Sequence, residues 1–351
     1  MTGEQLPDGD VRRRLLMLAA SFALVSCGGG GGSPAPTAAA PTPPTPPSPT
    51  PPAPSPTPPT PPAPAPTPPA PAPVPNPPPP PPPPPAPGPA PLKSAKRGVA
   101  YDFASLADLQ ALSTGVSWWY NWATRPNSAL PSNAASQVAM DYLPMLWNAS
   151  YDAPSVEAYV KANTNIKYLL VLNEPNLVDQ ADMTPAQAAA AWPGYEAVAA
   201  ATGAKIVGPA ITWGTMATYS DPVVWMDAFI LAYQSANGGR SPQIDYIAFH
   251  WYDYGLGAQL DRLAKYGKPF WVTEMANWHT GDSAVIDTLA KQETQMTDMV
   301  NTCESRPDVF RYAWFTGRWN SDAHFTSLLG TNPGELTDLG KLYLTLPFTP
   351  A

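Results

Sequence analysis

The sequence predicts an α/β fold, a (β/α)8 (TIM) barrel, preceded by a disordered proline-rich linker. Of the 51 prolines, 35 lie in the 58 residues from Pro34 to Pro91. All 12 tryptophans and all 15 tyrosines lie after Leu92, which places the hydrophobic core in the last 260 residues. In that part, eight short apolar runs alternate with helical stretches, a pattern typical of a barrel of parallel strands. We therefore expect one well-packed domain over residues 92–351.

Residues 1–26 have the features of an export signal. Three arginines, residues 12–14, precede the 11-residue apolar run from Leu15 to Val25, which is too short to span a bilayer stably. Cys27 and five glycines follow, an arrangement that resembles a bacterial lipobox and implies cleavage before Cys27 and lipidation of its thiol. We expect an exported lipoprotein, at the periplasmic face or cell surface, that contacts the membrane only through this lipid. An ordinary signal peptide or a short hydrophobic anchor are the alternatives.

Residues 27–91 predict a disordered linker. The stretch from Pro34 to Pro91 has no Asp, Glu, Lys or Arg, and Val74 is its only bulky apolar residue. Such a segment cannot bury enough apolar surface to offset its ordering entropy. In the polyproline II conformation, 58 residues reach at most roughly 180 Å. We interpret the linker as a spacer; a ligand for a proline-recognising module or a wall-interacting segment are the alternatives.

The predicted strands are mostly continuous apolar runs, as expected of parallel strands that are buried on both faces. In chain order they are Arg97–Ala100, Val116–Asn121, Tyr142–Trp147, Tyr168–Asn173, Lys205–Pro209, Ile244–His250, Pro269–Thr273 and Phe310–Thr316.

Helices are predicted between these strands. Thr184 and Pro185 have the residue types of an N-cap and a first helical position, and Gly267 closes another helix. The predicted helices are Ser105–Leu112, Ser155–Ala162, a stretch from Thr184 through Ala190 with a later part reaching Ala201, Pro222–Ala236, Leu256–Tyr266 and Ser283–Glu304. A doubly wound sheet is the alternative, but no glycine-rich turn follows the first strand.

Two glutamates follow very apolar strands, where an unpaired carboxylate is costly. Glu174 comes directly after the fourth strand and Glu274 directly after the seventh. Function in a barrel is carried at the carboxyl ends of the strands. Strands four and seven lie on roughly opposite sides of an eight-stranded barrel, so we expect the two glutamates to face each other across its mouth. This supplies the carboxylate pair of glycoside hydrolysis. A salt-bridged strand end is the alternative for either glutamate alone.

Asn173 adds to this interpretation, because its amide can hydrogen-bond the 2-hydroxyl of a sugar. The Asn-Glu-Pro run at residues 173–175 resembles the strand-four signature of the large retaining clan of barrel glycosidases. That resemblance implies that Glu174 is the acid/base and Glu274 the nucleophile.

A closer resemblance, over Arg97–Tyr343, is to glycoside hydrolase family 128. It rests on the number and order of its motifs, which are residues 97–101, 115–122, 144–147, 173–176, 183–189, 250–253, 265–274 and 311–318. The resemblance implies an endo-β-1,3-glucanase, retaining in mechanism, acting on laminarin, curdlan or a similar glucan. The run Met275–His279 is less standard for the family, which puts the subsites nearest the nucleophile in doubt.

Further candidate substrate contacts lie at the strand ends. Tyr252 follows the sixth strand, so its hydroxyl can hold Glu274 as a carboxylate; a core or rim tyrosine is the alternative. His250 can bond substrate or a carboxylate, with a hydrogen-bonded core histidine as the alternative. Asn121 is a candidate hydroxyl contact. Five tryptophans are candidate sugar platforms, with core packing as the alternative for each: Trp119, Trp122, Trp147, Trp213 and Trp314. Trp314 is the preferred floor for the attacked sugar, by resemblance to the clan.

Composition argues against several other classes of function. Three histidines without a spaced carboxylate set predict no metal site, and no cofactor is expected. A net charge of −8 argues against nucleic-acid binding, and we expect a monomer. Cys303 is interpreted as a lone packed or surface thiol. Two alternative functions remain: a non-catalytic surface protein that binds β-glucan, and a β-1,4-glucanase or mannanase of the same clan.

Overall fold

The structure of the protein is a computed structural model that describes residues 93–348. The expected signal peptide, Cys27 and the proline-rich linker lie outside these residues. Nine parallel strands form one sheet, in chain order β1 Arg97–Ala100, β2 Trp118–Tyr120, β3 Asp141–Tyr142, β4 Met145–Leu146, β5 Tyr168–Val171, β6 Lys205–Ile211, β7 Tyr246–Trp251, β8 Phe270–Met275 and β9 Val309–Trp314.

The sheet has the strand order of a barrel. Neighbouring strands run β3-β2-β1-β9-β8-β7-β6-β5-β4, so the two ends of the sheet are the consecutive strands β3 and β4. Only Leu143 and Pro144 separate them. The Leu143 N–H donates to the Trp119 carbonyl of β2 at 3.0 Å, and the Pro144 carbonyl accepts from the Leu170 N–H of β5 at 3.0 Å. The predicted third strand is thus a single strand that is interrupted at Leu143 and Pro144. It joins the two ends of the sheet and confirms the α/β barrel.

Eight α-helices lie within residues 93–348: α1 Leu106–Leu112, α2 Ala134–Val138, α3 Ala153–Ala162, α4 Pro185–Thr202, α5 Pro222–Ala236, α6 Leu256–Leu263, α7 Leu289–Ser305 and α8 Asp338–Thr345. The prediction missed α2 and α8, which have five and eight residues. None of the helices in this part of the chain has the length and apolar character needed to cross a bilayer.

Local capping explains where the predicted helix ends were wrong. Helix α3 begins two residues earlier than predicted, because the Asp152 side chain accepts from the Ser155 N–H. Helix α7 begins at Leu289 rather than Ser283, capped by Thr288. Helix α4 begins with a reciprocal capping box between Thr184 and Gln187 and continues through Pro193 without the expected interruption.

The N-terminal end of the barrel interior is filled by aromatic side chains. The Arg311 guanidinium lies 5.1 Å from the Trp271 ring, 5.4 Å from the Tyr168 ring and 6.0 Å from the Trp118 ring. The Trp118 and Trp271 rings are 5.2 Å apart. This cluster closes the lower end of the barrel, so the opening lies at the carboxyl ends of the strands. Outside the barrel, Cys303 is a buried free thiol, and burial raises its pKa.

A buried ion pair joins the first strand to the last helices. Arg97 and its partner Glu304 are both buried, with 3.6 Å between Nη2 and Oε1. The guanidinium also donates to Tyr312 Oη at 2.8 Å and to the carbonyls of Tyr343 and Leu346 at 2.6 and 2.9 Å. Arg97 therefore ties β1 to β9 and to the end of α8.

We expect Arg97→Met to lower the free energy of unfolding by about 3–5 kcal/mol, because it leaves the buried Glu304 carboxylate without its cation. Denaturant unfolding at neutral pH measures this. The matched control is Arg240→Met, which removes a half-exposed partner of Glu196 and should cost less than about 1 kcal/mol. Equal losses in the two variants would contradict this account of the buried pair.

Candidate active site

Glu274 is a fully buried carboxylate in β8, surrounded by hydrogen-bond donors from other strands. Tyr120 at the end of β2 donates to Oε1 at 2.9 Å, and the indole N–H of Trp122 donates to the same oxygen at 2.7 Å. Tyr252, just after β7, donates to Oε2 in a short hydrogen bond. Hydrogen bonds to the charged form favour ionisation. These donors therefore favour the carboxylate form of Glu274. The Tyr252 hydroxyl contacts Glu274, and its role in substrate binding stays a prediction.

Glu174 lies opposite, directly after β5, and is also fully buried. Its backbone is in the left-handed region at φ 44°, two residues after Leu172 at φ 57°. Its N–H donates to the Ala210 carbonyl of β6 at 2.8 Å. Left-handed backbone at non-glycine residues stores strain that the surrounding structure must support. This turn aims the Glu174 carboxyl into the mouth of the barrel.

His250 of β7 lies between the two glutamates. Its Nδ1 is 3.0 Å from Glu174 Oε1 and 3.4 Å from Glu274 Oε2, and its Nε2 is 2.9 Å from Thr273 Oγ1. One oxygen of each glutamate and one nitrogen of His250 all lie within 4.8 Å of one another. His250 is thus buried and contacts both carboxylates, and its role in substrate binding stays a prediction.

The short separation of the carboxylates has a direct chemical meaning. Nucleophile and acid/base are about 5–5.5 Å apart in retaining glycosidases, whereas inverting enzymes need about 6.5–9.5 Å to admit a water molecule. One carboxylate oxygen of Glu174 and one of Glu274 lie within 4.8 Å of each other. The three donors on Glu274 point positive dipoles at its oxygens, an arrangement that stabilises the carboxylate anion.

The buried position shifts the ionisation of these groups. Burial raises the pKa of Glu274 above the ordinary carboxyl value, and the like charge of Glu174 acts in the same direction. His250 and the hydrogen bonds from Tyr252 and Trp122 lower the pKa of Glu274 and so oppose the shift. Burial and the charge of Glu274 raise the pKa values of Tyr120 and Tyr252 well above that of a free phenol, so both remain donors.

Asn173, the predicted contact for a sugar hydroxyl, immediately precedes Glu174. It is buried beside Glu174, and its Nδ2 donates to Gln180 Oε1 at 3.0 Å. Its Oδ1 has no hydrogen-bond partner among residues 93–348. A buried acceptor without a partner costs free energy unless a ligand satisfies it. Asn173 therefore retains one site for a substrate hydroxyl, and its role in binding stays a prediction.

Three of the predicted substrate contacts have different environments from those expected. Trp119 is buried against Phe103 and Tyr142 rather than at the mouth. Asn121 has all its hydrogen-bonding capacity occupied, by Asp102, the Arg125 carbonyl, Tyr142 and the Ala123 N–H. The indole N–H of Trp122 donates to Glu274, so this side chain positions the Glu274 carboxylate.

Trp314 is not the floor of the site. Its side chain is fully buried, its N–H donates to the Thr326 carbonyl at 2.8 Å, and its ring lies 6.2 Å from Tyr343 of α8. The next residue, Phe315, faces the mouth instead, with its ring 5.8 Å from those of both Trp122 and Tyr252. Adjacent residues at a strand end point to opposite faces of the sheet, so only one of this pair can reach the site.

The other two predicted platforms remain predictions. Trp147 is partly buried at the end of β4, next to Asn173, whose N–H donates to the Trp147 carbonyl at 2.9 Å. Trp213 is partly buried after β6. The Arg262 guanidinium lies 4.8 Å from its ring and its indole N–H donates to Gln259.

The sequence interpretation missed several aromatic residues around the nucleophile. Trp278 stacks on Tyr252 at 3.9 Å between ring centroids, and Trp319 lies 6.2 Å from Trp278. The contact of Tyr120 with Glu274 was also missed, although the spacing of Tyr120 from Trp118 and Trp122 indicates that the three side chains share one face. Trp118, Tyr120 and Trp122 follow the two-residue period of a strand, and their rings are neighbours on one face.

Comparison with known proteins agrees with this site. Residues 98–343 match the family model described as glycosyl hydrolase catalytic core. The crystal structure of a GH128 (subgroup II) endo-β-1,3-glucanase from Pseudomonas viridiflava is 60% identical, with a TM-score of 0.72 over 73% of this chain and 100% of that chain. The corresponding Sorangium cellulosum enzyme is 34% identical, with a TM-score of 0.62 over 72% of this chain and 99% of that chain.

A more distant relative comes from fission yeast. Alkali-sensitive linkage protein 1 of Schizosaccharomyces pombe is 27% identical over 269 residues, which are 72% of this chain and 45% of the yeast protein. The chain thus spans less than half the length of that relative. The match to the catalytic-core model and the 60% identity over a complete family 128 enzyme show that this chain belongs to glycoside hydrolase family 128.

Proposed function

We propose that the protein is an endo-β-1,3-glucanase that hydrolyses laminarin- or curdlan-type glucans by a retaining double displacement. The observation that carries this proposal is the pair of buried carboxylates, Glu174 and Glu274, whose oxygens approach within 4.8 Å. The substrate class is supported by the two bacterial relatives, both endo-β-1,3-glucanases. A non-catalytic glucan-binding role has no use for two closely spaced buried carboxylates, and nothing favours a β-1,4-glucan or mannan substrate.

In the first chemical step, an oxygen of Glu274 attacks the anomeric carbon. The glycosidic C–O bond breaks as Glu174 transfers its proton to the departing oxygen. In the second step, Glu174 accepts a proton from water, the water oxygen bonds to the anomeric carbon, and the ester bond to Glu274 breaks. Tyr120, Trp122 and Tyr252 hold the Glu274 carboxylate in place for the attack.

We expect wild-type protein to release reducing ends from laminarin and not from carboxymethylcellulose. Glu174→Gln should lower kcat on laminarin by about 10²–10⁴-fold because it removes the general acid, and Glu274→Gln should abolish detectable turnover because it removes the nucleophile. Equal rates on both polymers would contradict the substrate assignment, and near-normal activity of Glu274→Gln would contradict the assigned roles.

Azide separates the two roles further within the same assay. With azide and an activated aryl β-laminaribioside, Glu174→Ala should form the β-glycosyl azide, because azide attacks the glycosyl-enzyme. Glu274→Gly should form the α-glycosyl azide, because azide enters the space left by the nucleophile. The reverse stereochemistry would exchange the two roles. The control is wild-type protein with azide, which should yield only the hydrolysis product.

The pH dependence gives an independent prediction. Because burial raises the pKa of Glu274, activity should fall on the acid side as this group takes up a proton. Tyr252→Phe removes a donor that favours the carboxylate, so the acid limb of kcat/KM should move to higher pH by about one to two pH units. The control is Tyr266→Phe, which removes a phenol that bonds Asp227 outside the site and should leave the limb unchanged. An acid limb that stays in place or moves to lower pH in Tyr252→Phe would contradict the role of this hydrogen bond.

The protein is further proposed to be a monomeric, exported lipoprotein anchored through Cys27. The basic and apolar segments before Cys27 and the glycine run after it support this. Cys27→Ala expressed in a bacterial host should abolish labelling by radioactive palmitate and move the protein from the membrane fraction to the soluble fraction, with Cys303→Ala as the control. A palmitate-labelled Cys27→Ala protein would contradict the anchor. Light scattering coupled to size-exclusion chromatography tests the monomer.

A further inference from the structure

Thr273 is a buried residue of β8 that contacts the same histidine as its neighbour Glu274. The pairing of β7 with β8 is shifted by one residue at this point, since Phe249 pairs with Val272 and His250 pairs with Glu274. Such a bulge re-aims side chains next to active sites. Thr273 is the extra residue, and consecutive side chains of β8 therefore both reach His250, Thr273 at Nε2 and Glu274 on the Nδ1 side.

The Thr273 hydroxyl contacts one ring nitrogen of His250. Its Oγ1 is 2.9 Å from Nε2, and this is its one side-chain hydrogen bond among residues 93–348. The residue is 1% exposed, so its O–H donor must find its acceptor inside the protein. Nε2 is that acceptor, and a nitrogen that accepts carries no proton. With Thr273 as the donor, the neutral imidazole of His250 carries its ring proton on Nδ1.

The position of this proton has a consequence for Glu174. The Nδ1–H faces Glu174 Oε1 at 3.0 Å, closer than Glu274 Oε2 at 3.4 Å. Oε1 is thus the oxygen that accepts from Nδ1–H, and in a carboxylic acid the oxygen without the proton is the better acceptor. The neutral acid form of Glu174 then carries its proton on Oε2, the other oxygen of the carboxyl group.

We propose that Thr273 is a positioning residue that fixes His250 as the Nδ1–H tautomer, and that this tautomer keeps the catalytic proton of Glu174 on Oε2. The inference rests on the proposed acid/base role of Glu174. During the first step the proton on Oε2 passes to the departing oxygen as the glycosidic bond breaks. The Nδ1–H remains on His250 and continues to donate to Oε1 of the carboxylate that forms.

The direct test is the tautomer in the wild-type, full-length protein. The chain has three histidines, so a protein labelled with ¹⁵N-histidine gives few imidazole signals in a long-range ¹H–¹⁵N correlation spectrum. The signals of His250 are identified by their loss in His250→Asn. The expected result at neutral pH is a protonated Nδ1 and an unprotonated Nε2. A proton on Nε2, alone or together with one on Nδ1, would overturn the proposal.

The kinetic test compares Thr273→Val, which has nearly the same shape but no hydroxyl, with Thr273→Ser, which keeps the hydroxyl. Thr273→Val should lower kcat/KM on laminarin about tenfold, because the acid proton is no longer held on one oxygen. With 2,4-dinitrophenyl β-laminaribioside, whose leaving group needs no proton, kcat/KM should change less than twofold. Thr273→Ser should recover most of the laminarin activity, and Thr294→Val on the exposed face of α7 should behave as wild type.

The outcomes separate this inference from the proposed function. Equal losses on both substrates would mean that Thr273 only supports the structure, and no loss on laminarin would mean that it has no role; either result overturns the inference while the glucanase assignment stands. If the wild-type protein hydrolyses neither substrate, the proposed function itself fails, and the tautomer spectrum still tests the placement of the proton on His250.

Discussion

The burial of the Glu274 carboxylate is the constraint on which the rest of this structure depends. A carboxylate removed from water is costly unless its charge is met by hydrogen bonds. Here the donors come from the ends of separate strands, Tyr120 from β2 and Tyr252 from β7, together with Trp122 from the loop after β2. No single supersecondary unit contains these groups, so the closed barrel is what brings them to one point. The fold thus supplies the hydrogen-bond donors that stabilise the buried negative charge of Glu274.

Local departures from ideal geometry concentrate around the same carboxylate. The strand register shifts between β7 and β8 and again between Val272 and Met275 on the β9 side of β8. Opposite, Glu174 has a left-handed backbone after β5. Each departure is locally unfavourable, and each turns a carboxyl or its partner into the mouth. The lower end of the barrel, packed with aromatic rings around Arg311, and the buried Arg97–Glu304 pair provide the rigid frame that maintains this strain.

The aromatic residues either pack in the core or surround Glu274, according to the face of the strand on which they lie. Trp119 and Trp314 pack away from the mouth and belong to the core. Trp122, Trp278 and Phe315 surround Tyr252 and the nucleophile. The rings beside Glu274 and the rings of the core are of the same residue types. Composition alone therefore cannot distinguish a core ring from a ring beside the site, whereas the direction of each side chain does.

The sequence by itself determined the barrel class, most strand positions and the two glutamates, because apolar runs followed by an acid are a strong local signal in parallel strands. It also identified Asn173, His250 and Tyr252, which lie beside those strand ends. The two-residue period of β2 separates Tyr120 from Trp119 and Asn121 and is visible in the sequence. Only the tertiary structure decided that Phe315 rather than Trp314 faces the mouth, and that Thr273 reaches His250. Those outcomes depend on where each strand ends and on a register shift between neighbours, and both are set by contacts between segments far apart in the chain.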